Sequence, residues 1–390
     1  MSKAKMSKIK SKKQKKILEE KHEISTSKYV RGLIIGDPHF MKNNVMECNR
    51  FTESLIKIAK EKKPDMIVVM GDMLNEHEKV DIGSHNAIET LIDGLSKIAK
   101  TFMLIGNHDY ADPNNQFLSS KHIFGPFKKW ENVRVVDYPI IEKVKNKMFT
   151  FCPYVPPGRF VEALSKTIEC GEMWEMSDAV FGHQEIRGCV MENGNISTKG
   201  DVWDENYPFL FLGHIHKAQK IGENGFCVGS SRQVNFGELD DKGVYLVTFR
   251  KKNPVIEKLE LECKKKVVIE MNVSEMEDFD KSLYKDNLVK IKVQGESHQI
   301  KVFKKSKLKE RLETDGITLN YDIIVPNSVP NKPIVFEAPS GAKFMDIVKE
   351  LIKVRSPAIQ DEFRFITGEV IIEEVNDSDS CSECILEFQM

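Results

Sequence analysis

Ten histidines occur in this 390-residue chain, and five of them fall in short segments where an apolar run ends in a residue able to ligate a metal. The segments are Asp37-Pro38-His39, Gly71-Asp72, Gly106-Asn107-His108-Asp109, Gly182-His183 and Gly213-His214-Ile215-His216. Taken singly each is weak, because a strand-end histidine is more often a hydrogen-bonded structural residue than a ligand. Together they offer seven donors, Asp37, His39, Asp72, Asn107, His183, His214 and His216, all oxygen or imidazole nitrogen and none thiolate. That donor chemistry suits manganese, iron or a similar ion and argues against a cysteine-rich structural zinc site. Seven are too many for one first-row ion that must also hold water, so the count points to two ions.

Elements that could bring these residues together are legible in the hydrophobic pattern. Apolar runs at 29–35, 66–70, 102–105, 179–181 and 209–212 read as buried strands, each ending at one of the five segments. Helical spacing follows the first two, with Phe51, Leu55, Ile58 and Ala59 over 45–60 and Ile88, Leu91, Ile92 and Leu95 over 86–97. Strands alternating with helices predict an α/β domain over 29–250, and in such sheets ligands gather beyond the carboxyl ends of the strands. After a charged connector that includes Lys264, Lys265 and Lys266, strands at 267–271, 288–293 and 317–325 with a helix at 302–312 predict a smaller α/β unit over 265–326. Residues 326–333 read as a linker. An amphipathic helix follows at 343–354, with Phe344, Ile347, Val348, Leu351 and Ile352 on one stripe, inside a segment spanning 334–375. The last stretch, 376–390, reads as an acidic tail.

Lysine and arginine total 58 against 59 acidic residues, a formal net charge of -1, so no global field draws the chain to nucleic acid or membrane. Local patches must serve instead. Residues 1–28 read as a basic disordered tail, with eight lysines and no acid among the first sixteen. A second basic cluster, Lys301, Lys304, Lys305, Lys307, Lys309 and Arg311, falls on the helix predicted for the smaller unit. Its ordinary reading is a solvated face; its sharper one is a phosphate-tracking surface. Eight scattered cysteines do not form a secreted disulfide framework and predict reduced thiols in an intracellular, cytoplasmic protein, or a nuclear one in a eukaryotic host. Apolar runs fall well short of the roughly 18 residues a membrane helix requires, so no membrane association is expected.

The five segments in this order resemble the motifs D-x-H, G-D, G-N-H-D/E, G-H and G-H-x-H of the calcineurin-like binuclear metallophosphoesterases. The resemblance implies a metallophosphoesterase β-sandwich flanked by helices, with the smaller α/β unit as a capping, DNA-binding domain and a helical segment beyond it. It also implies a ligand assignment: Asp37, His39 and His216 for one ion, Asn107, His183 and His214 for the other, and Asp72 shared. A narrower resemblance covers Val228 to Glu238, whose Gly229-Ser230 and Phe236-Gly237-Glu238 are similar to the segment after G-H-x-H in SbcD-type DNA nucleases. One departure is Asn75, where members usually carry His three residues after the shared Asp; His77 stands two residues further on.

The resemblance makes His108 the group that stabilises the transition state and protonates the leaving oxygen, with Asp109 fixing its tautomer. It implies two divalent ions, manganese above all, and a nuclease that degrades duplex ends and cuts single strands or hairpins in DNA repair, recombination or replication. Arg232, Lys304, Lys305 and Lys307 are the candidate DNA contacts. The implied partner is an SbcC-type SMC-like ATPase, reached through Phe344, Ile347, Val348 and Leu351, in a heterotetramer built on a homodimer of this chain. Two other functions fit the same motifs: a metallophosphatase or cyclic-nucleotide phosphodiesterase, and a non-catalytic scaffold, which would be expected to have lost ligands.

Overall fold

The computed structural model describes residues 29–42, 45–76, 80–112, 117–170, 173–250 and 253–324. The expectations for the basic tail, His77, the stripe from Phe344 to Leu351 and the acidic tail lie outside these residues.

The first sheet begins with β1 (Val30–Ile35), which is followed by helix α1 (Val45–Lys62), β2 (Met66–Val69), α2 (Ile82–Ser96), β3 (Lys100–Leu104) and β4 (Val133–Val136). These four strands run parallel in sequence order. Burial on both faces explains why β2 reads Met-Ile-Val-Val with no polar alternation. One face receives α1 through Cys48, Phe51, Leu55 and Ala59, and α2 through Ile88, Leu91, Ile92 and Leu95, all fully buried against Leu33, Ile35, Ile67, Val69 and Met103. Helix α2 starts cleanly because the Asp81 carboxylate accepts the Ser84 N–H at 2.9 Å.

The second sheet collects β5 (Ile140–Val144), β6 (Lys147–Cys152), β7 (Ala179–His183), β8 (Phe209–Gly213), β9 (Gln219–Ile221) and β10 (Gly225–Cys227) in the order β5-β6-β7-β8-β10-β9. A short helix, α3 (Phe160–Leu164), packs on its outer face with Trp174. Between the two sheets lies a core in which Phe102 stacks on Phe151, Phe151 on Phe181 and Phe181 on Phe211, at centroid distances of 4.1, 5.0 and 5.3 Å. This is the expected sandwich, with parallel strands β1, β2 and β3 facing parallel strands β6, β7 and β8.

Two antiparallel strands, β11 (Val244–Phe249) and β12 (Val255–Leu259), then return to the outer edge of β1. The first sheet therefore continues through residue 259. A third sheet, β13 (Lys265–Asn272), β14 (Asn287–Gly295) and β15 (Thr318–Ile323), is wholly parallel. Over it fold α4 (Ser297–Phe303) and α5 (Lys307–Thr314), burying Ile300, Phe303 and Leu312 against Val289, Ile291 and Val293. The single helix expected over 302–312 is thus two: the chain turns after Phe303, and Ser306 caps α5 by accepting the Lys309 N–H at 3.1 Å. Among the described residues no helix is long and apolar enough to cross a membrane, and Cys48, Cys152, Cys189, Cys227 and Cys263 are free thiols.

Candidate metal centre

All five strand ends open onto one place. Loops after β1 and β2 are laced together by His39 N–H to the Asp72 carbonyl at 3.0 Å and Phe40 N–H to the Met73 carbonyl at 2.8 Å. The two sheets are joined by the His214 N–H, which donates to Asp37 Oδ2 at 2.8 Å, and by His183 Nδ1, which donates to the Met70 carbonyl at 2.7 Å. His39, Asp72 and His214 all have positive φ, 47°, 48° and 84°. Such conformations are held only where surrounding structure insists on them, and they cluster at functional sites.

The glycines that precede the donors are there for space. A Cβ on Gly106 would sit 2.2 Å from Asp72 Oδ1 and 2.4 Å from its main-chain nitrogen, and one on Gly213 would sit 2.7 Å from Asp37 Oδ1. Gly106→Ala should therefore push Asp72 out of place. The expected result is a loss of about 1–3 kcal/mol of stability from overpacking, read as a lower melting temperature, with weaker manganese binding in the same sample.

The donors meet in overlapping groups: Asp37, His39 and His216; Asp72, His183 and His214; and His39, Asp72 and His108. Asp72 Oδ2 lies 3.2 Å from His183 Nε2 and 3.7 Å from His39 Nε2, so its carboxylate stands between the first two sets. Asn107 Oδ1 faces His183 Nε2 at 3.0 Å and His214 Nδ1 at 2.8 Å. The seven residues expected as ligands are all here, arranged around Asp72.

Three features fit this pocket to cations. Asp37, His39, Asp72 and His183 are essentially sealed from solvent, yet Asp37 Oδ1 and His39 Nδ1 have no hydrogen-bond partner among the described residues. His39 Nε2 and His216 Nε2 face each other at 2.9 Å, two lone-pair nitrogens that need a proton or a metal between them. Protonation is uneven here: burial pushes the pKa values of His39 and His214 down to about 3. Burial opposes charge on His183, but Asp72 and Asp37 override it and push its pKa up to about 9. Burial likewise opposes charge on Asp72, and His183 and His39 nevertheless hold its carboxyl far below the usual range. For Asp37 burial wins, and its pKa rises to about 6. Oxygen and imidazole donors with no thiolate match a hard or borderline divalent ion.

His108 borders the centre, its ring 5.0 Å from that of His39. What orients it differs from the expectation: its Nδ1 donates to the Asn75 carbonyl at 2.7 Å. Asp109 is committed elsewhere, accepting the Gly106 N–H at 2.9 Å and the Leu74 N–H at 3.1 Å. Burial, reinforced by the charge of Asp72, raises the Asp109 pKa to about 7. Asp109 thus shapes the loop, and Asn75 serves through its main chain whatever its side chain.

Arg232 also differs from the expectation of a DNA contact. It is buried, and its guanidinium donates to the carbonyls of Pro38 at 3.0 Å and His39 at 2.8 Å, bracing the first ligand loop from behind. Lys304, Lys305 and Lys307 are exposed on the third sheet's helical layer, with Lys304 over the Tyr321 ring at 4.4 Å. Two residues with no role in the sequence reading now acquire neighbours. Tyr154 lays its ring 5.7 Å from that of His214 and 6.2 Å from that of His183, and Glu238 accepts from His216. The signal for Glu238 was its place in the Phe236-Gly237-Glu238 segment; Tyr154 carried none.

Paired mixed sheets with buried carboxylates and imidazoles at their common end define a metal-dependent phosphoesterase. The chain belongs to the calcineurin-like phosphoesterase family, whose model matches residues 30–218. It is 38% identical over 281 residues to the candidate phosphoesterase 244L of Invertebrate iridescent virus 6, covering 71% of this chain and 98% of that protein. A second relative, the candidate phosphoesterase 078R of Invertebrate iridescent virus 3, is 32% identical over 333 residues, covering 84% and 93%. Among solved structures, TT1561 of Thermus thermophilus aligns over 59% of this chain and 99% of its own at 11% identity, with a TM-score of 0.35.

Proposed function

We propose that the chain hydrolyses phosphoesters at a centre of two divalent ions, one held by Asp37, His39 and His216, the other by Asn107, His183 and His214, with Asp72 common to both. The observation that carries this is the position of the Asp72 carboxylate between two buried donor sets. Two such ions polarise a phosphoryl group and make water nucleophilic at neutral pH. The chain's own part begins with limiting solvent, since Asp37, His39, Asp72 and His183 are buried while Asn107, His214 and His216 are half-buried. His108, held by the Asn75 carbonyl, can carry a proton on Nε2 toward the leaving oxygen. Asp109 and Arg232 keep the loops on either side in register. Manganese is the ion proposed, on donor chemistry.

The names of the two viral relatives support a general phosphoesterase, whether phosphatase or phosphodiesterase. One observation favours a narrower reading, the DNA nuclease. The Val228 to Glu238 segment touches both the centre and the third sheet: Glu238 accepts from His216, while Gln233 accepts the Lys266 N–H at 2.7 Å and Lys266 Nζ bonds the Val234 carbonyl. Phe236 lies beneath the ammonium groups of Lys266 and Lys290 at 5.6 and 5.0 Å. Basic and aromatic groups on the unit beside the centre suit a polyanion with bases. In that reading the chain acts as a dimer with an SbcC-type ATPase.

Purified protein incubated with manganese and end-labelled duplex, single-stranded or hairpin DNA, alongside a generic phosphomonoester, separates these readings. Cleavage of DNA with little monoester turnover is expected for the nuclease, and the reverse for a phosphatase. No manganese-dependent hydrolysis of either would sink the enzymatic proposal.

A further inference from the structure

We propose that Glu238 is a positioning residue for the metal centre: its carboxylate holds the His216 ring with the hydrogen on Nδ1, leaving Nε2 as the ligand atom. This rests on the two-metal reading above. His216 Nδ1 donates to Glu238 Oε1 at 3.0 Å, while the opposite ring nitrogen, Nε2, faces His39 Nε2 at 2.9 Å. The imidazole is thus threaded between a carboxylate and the donor set. Metal-bound histidines are commonly fixed in this manner, and loss of the outer partner typically costs about 10–100-fold in metal affinity.

Glu238 is built to stay where it is. Its Oε2 accepts from Lys242 Nζ at 2.9 Å, Val234 N–H at 3.1 Å and Ser230 Oγ at 3.2 Å, and Oε1 also receives the Asn235 N–H at 3.3 Å. Lys242 further donates to the His216 carbonyl at 2.8 Å, so ring and main chain of His216 are gripped from one anchor. Glu192 Oε1 also reaches His216 Nδ1, at 2.9 Å. Its side chain is 54% exposed, against 8% for Glu238. A solvated carboxylate with no other anchor among the described residues cannot fix a ring as the buried one does.

The substitution Glu238→Gln makes a sharp test because of what surrounds Oε2. An amide must turn its oxygen toward the Lys242 and Val234 donors, which leaves its NH2 against His216 Nδ1. That arrangement favours the tautomer with hydrogen on Nε2, where it blocks ligation. Ser230→Ala is the control: it removes the longest of the three bonds to Oε2, leaves Lys242 and Val234 holding the carboxylate, and does not touch the imidazole. Manganese titration of the full chain by calorimetry should show two sites in the wild type, one of them weakened about 10–100-fold in Glu238→Gln, and wild-type binding in Ser230→Ala. Equal binding by Glu238→Gln and wild type overturns the inference, and so does equal weakening in both variants, which would make Glu238 a loop brace. Failure of the wild type itself to bind manganese would sink the two-metal reading instead. Nitrogen-15 spectra of the zinc-loaded wild type, with His216 assigned by its absence in His216→Asn, read the tautomer even where Glu238→Gln does not fold. Hydrogen on Nδ1 is expected; zinc on Nδ1 overturns the proposal.

Discussion

Asp72→Asn should cost the protein both metal ions and reduce manganese-dependent hydrolysis by about a thousandfold or more. The Lewis acidity of a bound ion alone contributes several kcal/mol to such a reaction, and about 4 kcal/mol is a factor of a thousand in rate. Asparagine isolates the charge. It tolerates the left-handed backbone at this position, φ 48°, better than most residues. Its amide oxygen can still accept the His108 N–H that Asp72 Oδ1 receives at 2.9 Å. What it lacks is the negative charge standing between His183 and His39. Elemental analysis of the purified variant after manganese loading checks the first half, and hydrolysis rates the second. A variant that keeps one ion at full occupancy would show that Asp72 is not shared. Because the Asp72 carboxylate is also the buried partner of His183 at 3.2 Å, the metal-free variant should melt below the metal-free wild type.

The centre was legible in the sequence because its chemistry is local: each donor follows an apolar run and a glycine within a few residues. Met66–Val69 and Phe209–Gly213 are buried on both faces, so they appear as uninterrupted apolar runs. Strands at or next to a sheet edge were harder. Gln219–Ile221 and Gly225–Cys227 are three residues each, too short for any period to show. In Ile140–Val144 the buried side chain is Val144 alone; Ile140, Ile141 and Glu142 are half-buried and Lys143 is exposed. Arg232 was misjudged for a different reason. An arginine in a polar loop reads as surface, and nothing local announces that the carbonyls of Pro38 and His39, nearly two hundred positions away, will take its guanidinium inside. Asp109 and Asn75 exchanged parts because main-chain acceptors leave no trace in residue type. In the smaller unit the periodicity from Val302 to Leu312 is continuous, but Ser306 offers the backbone a cap, and the helix breaks there.

His108→Gln separates proton transfer from metal binding. Glutamine keeps a hydrogen-bonding side chain beside the centre but cannot pass a proton, so turnover on an unactivated phosphodiester should fall about 100- to 10,000-fold. Manganese content should stay at the wild-type level, because the Asp37, His39, His216 set and the Asp72, His183, His214 set are complete without His108. The structure also groups His108 with His39 and Asp72 closely enough to share an ion. A fall in manganese that tracks the fall in rate would make His108 a ligand and end its role as acid. Leaving-group dependence decides the rest. A nitrophenyl diester departs as a stable anion and needs no proton, so the variant should recover most of its deficit on that substrate. An equal deficit on both substrates would mean that His108 holds the phosphoryl oxygens in the transition state. The Asn75 carbonyl favours the first outcome: by taking the Nδ1 hydrogen at 2.7 Å, it supports positive charge on the ring when Nε2 carries the proton to be given away.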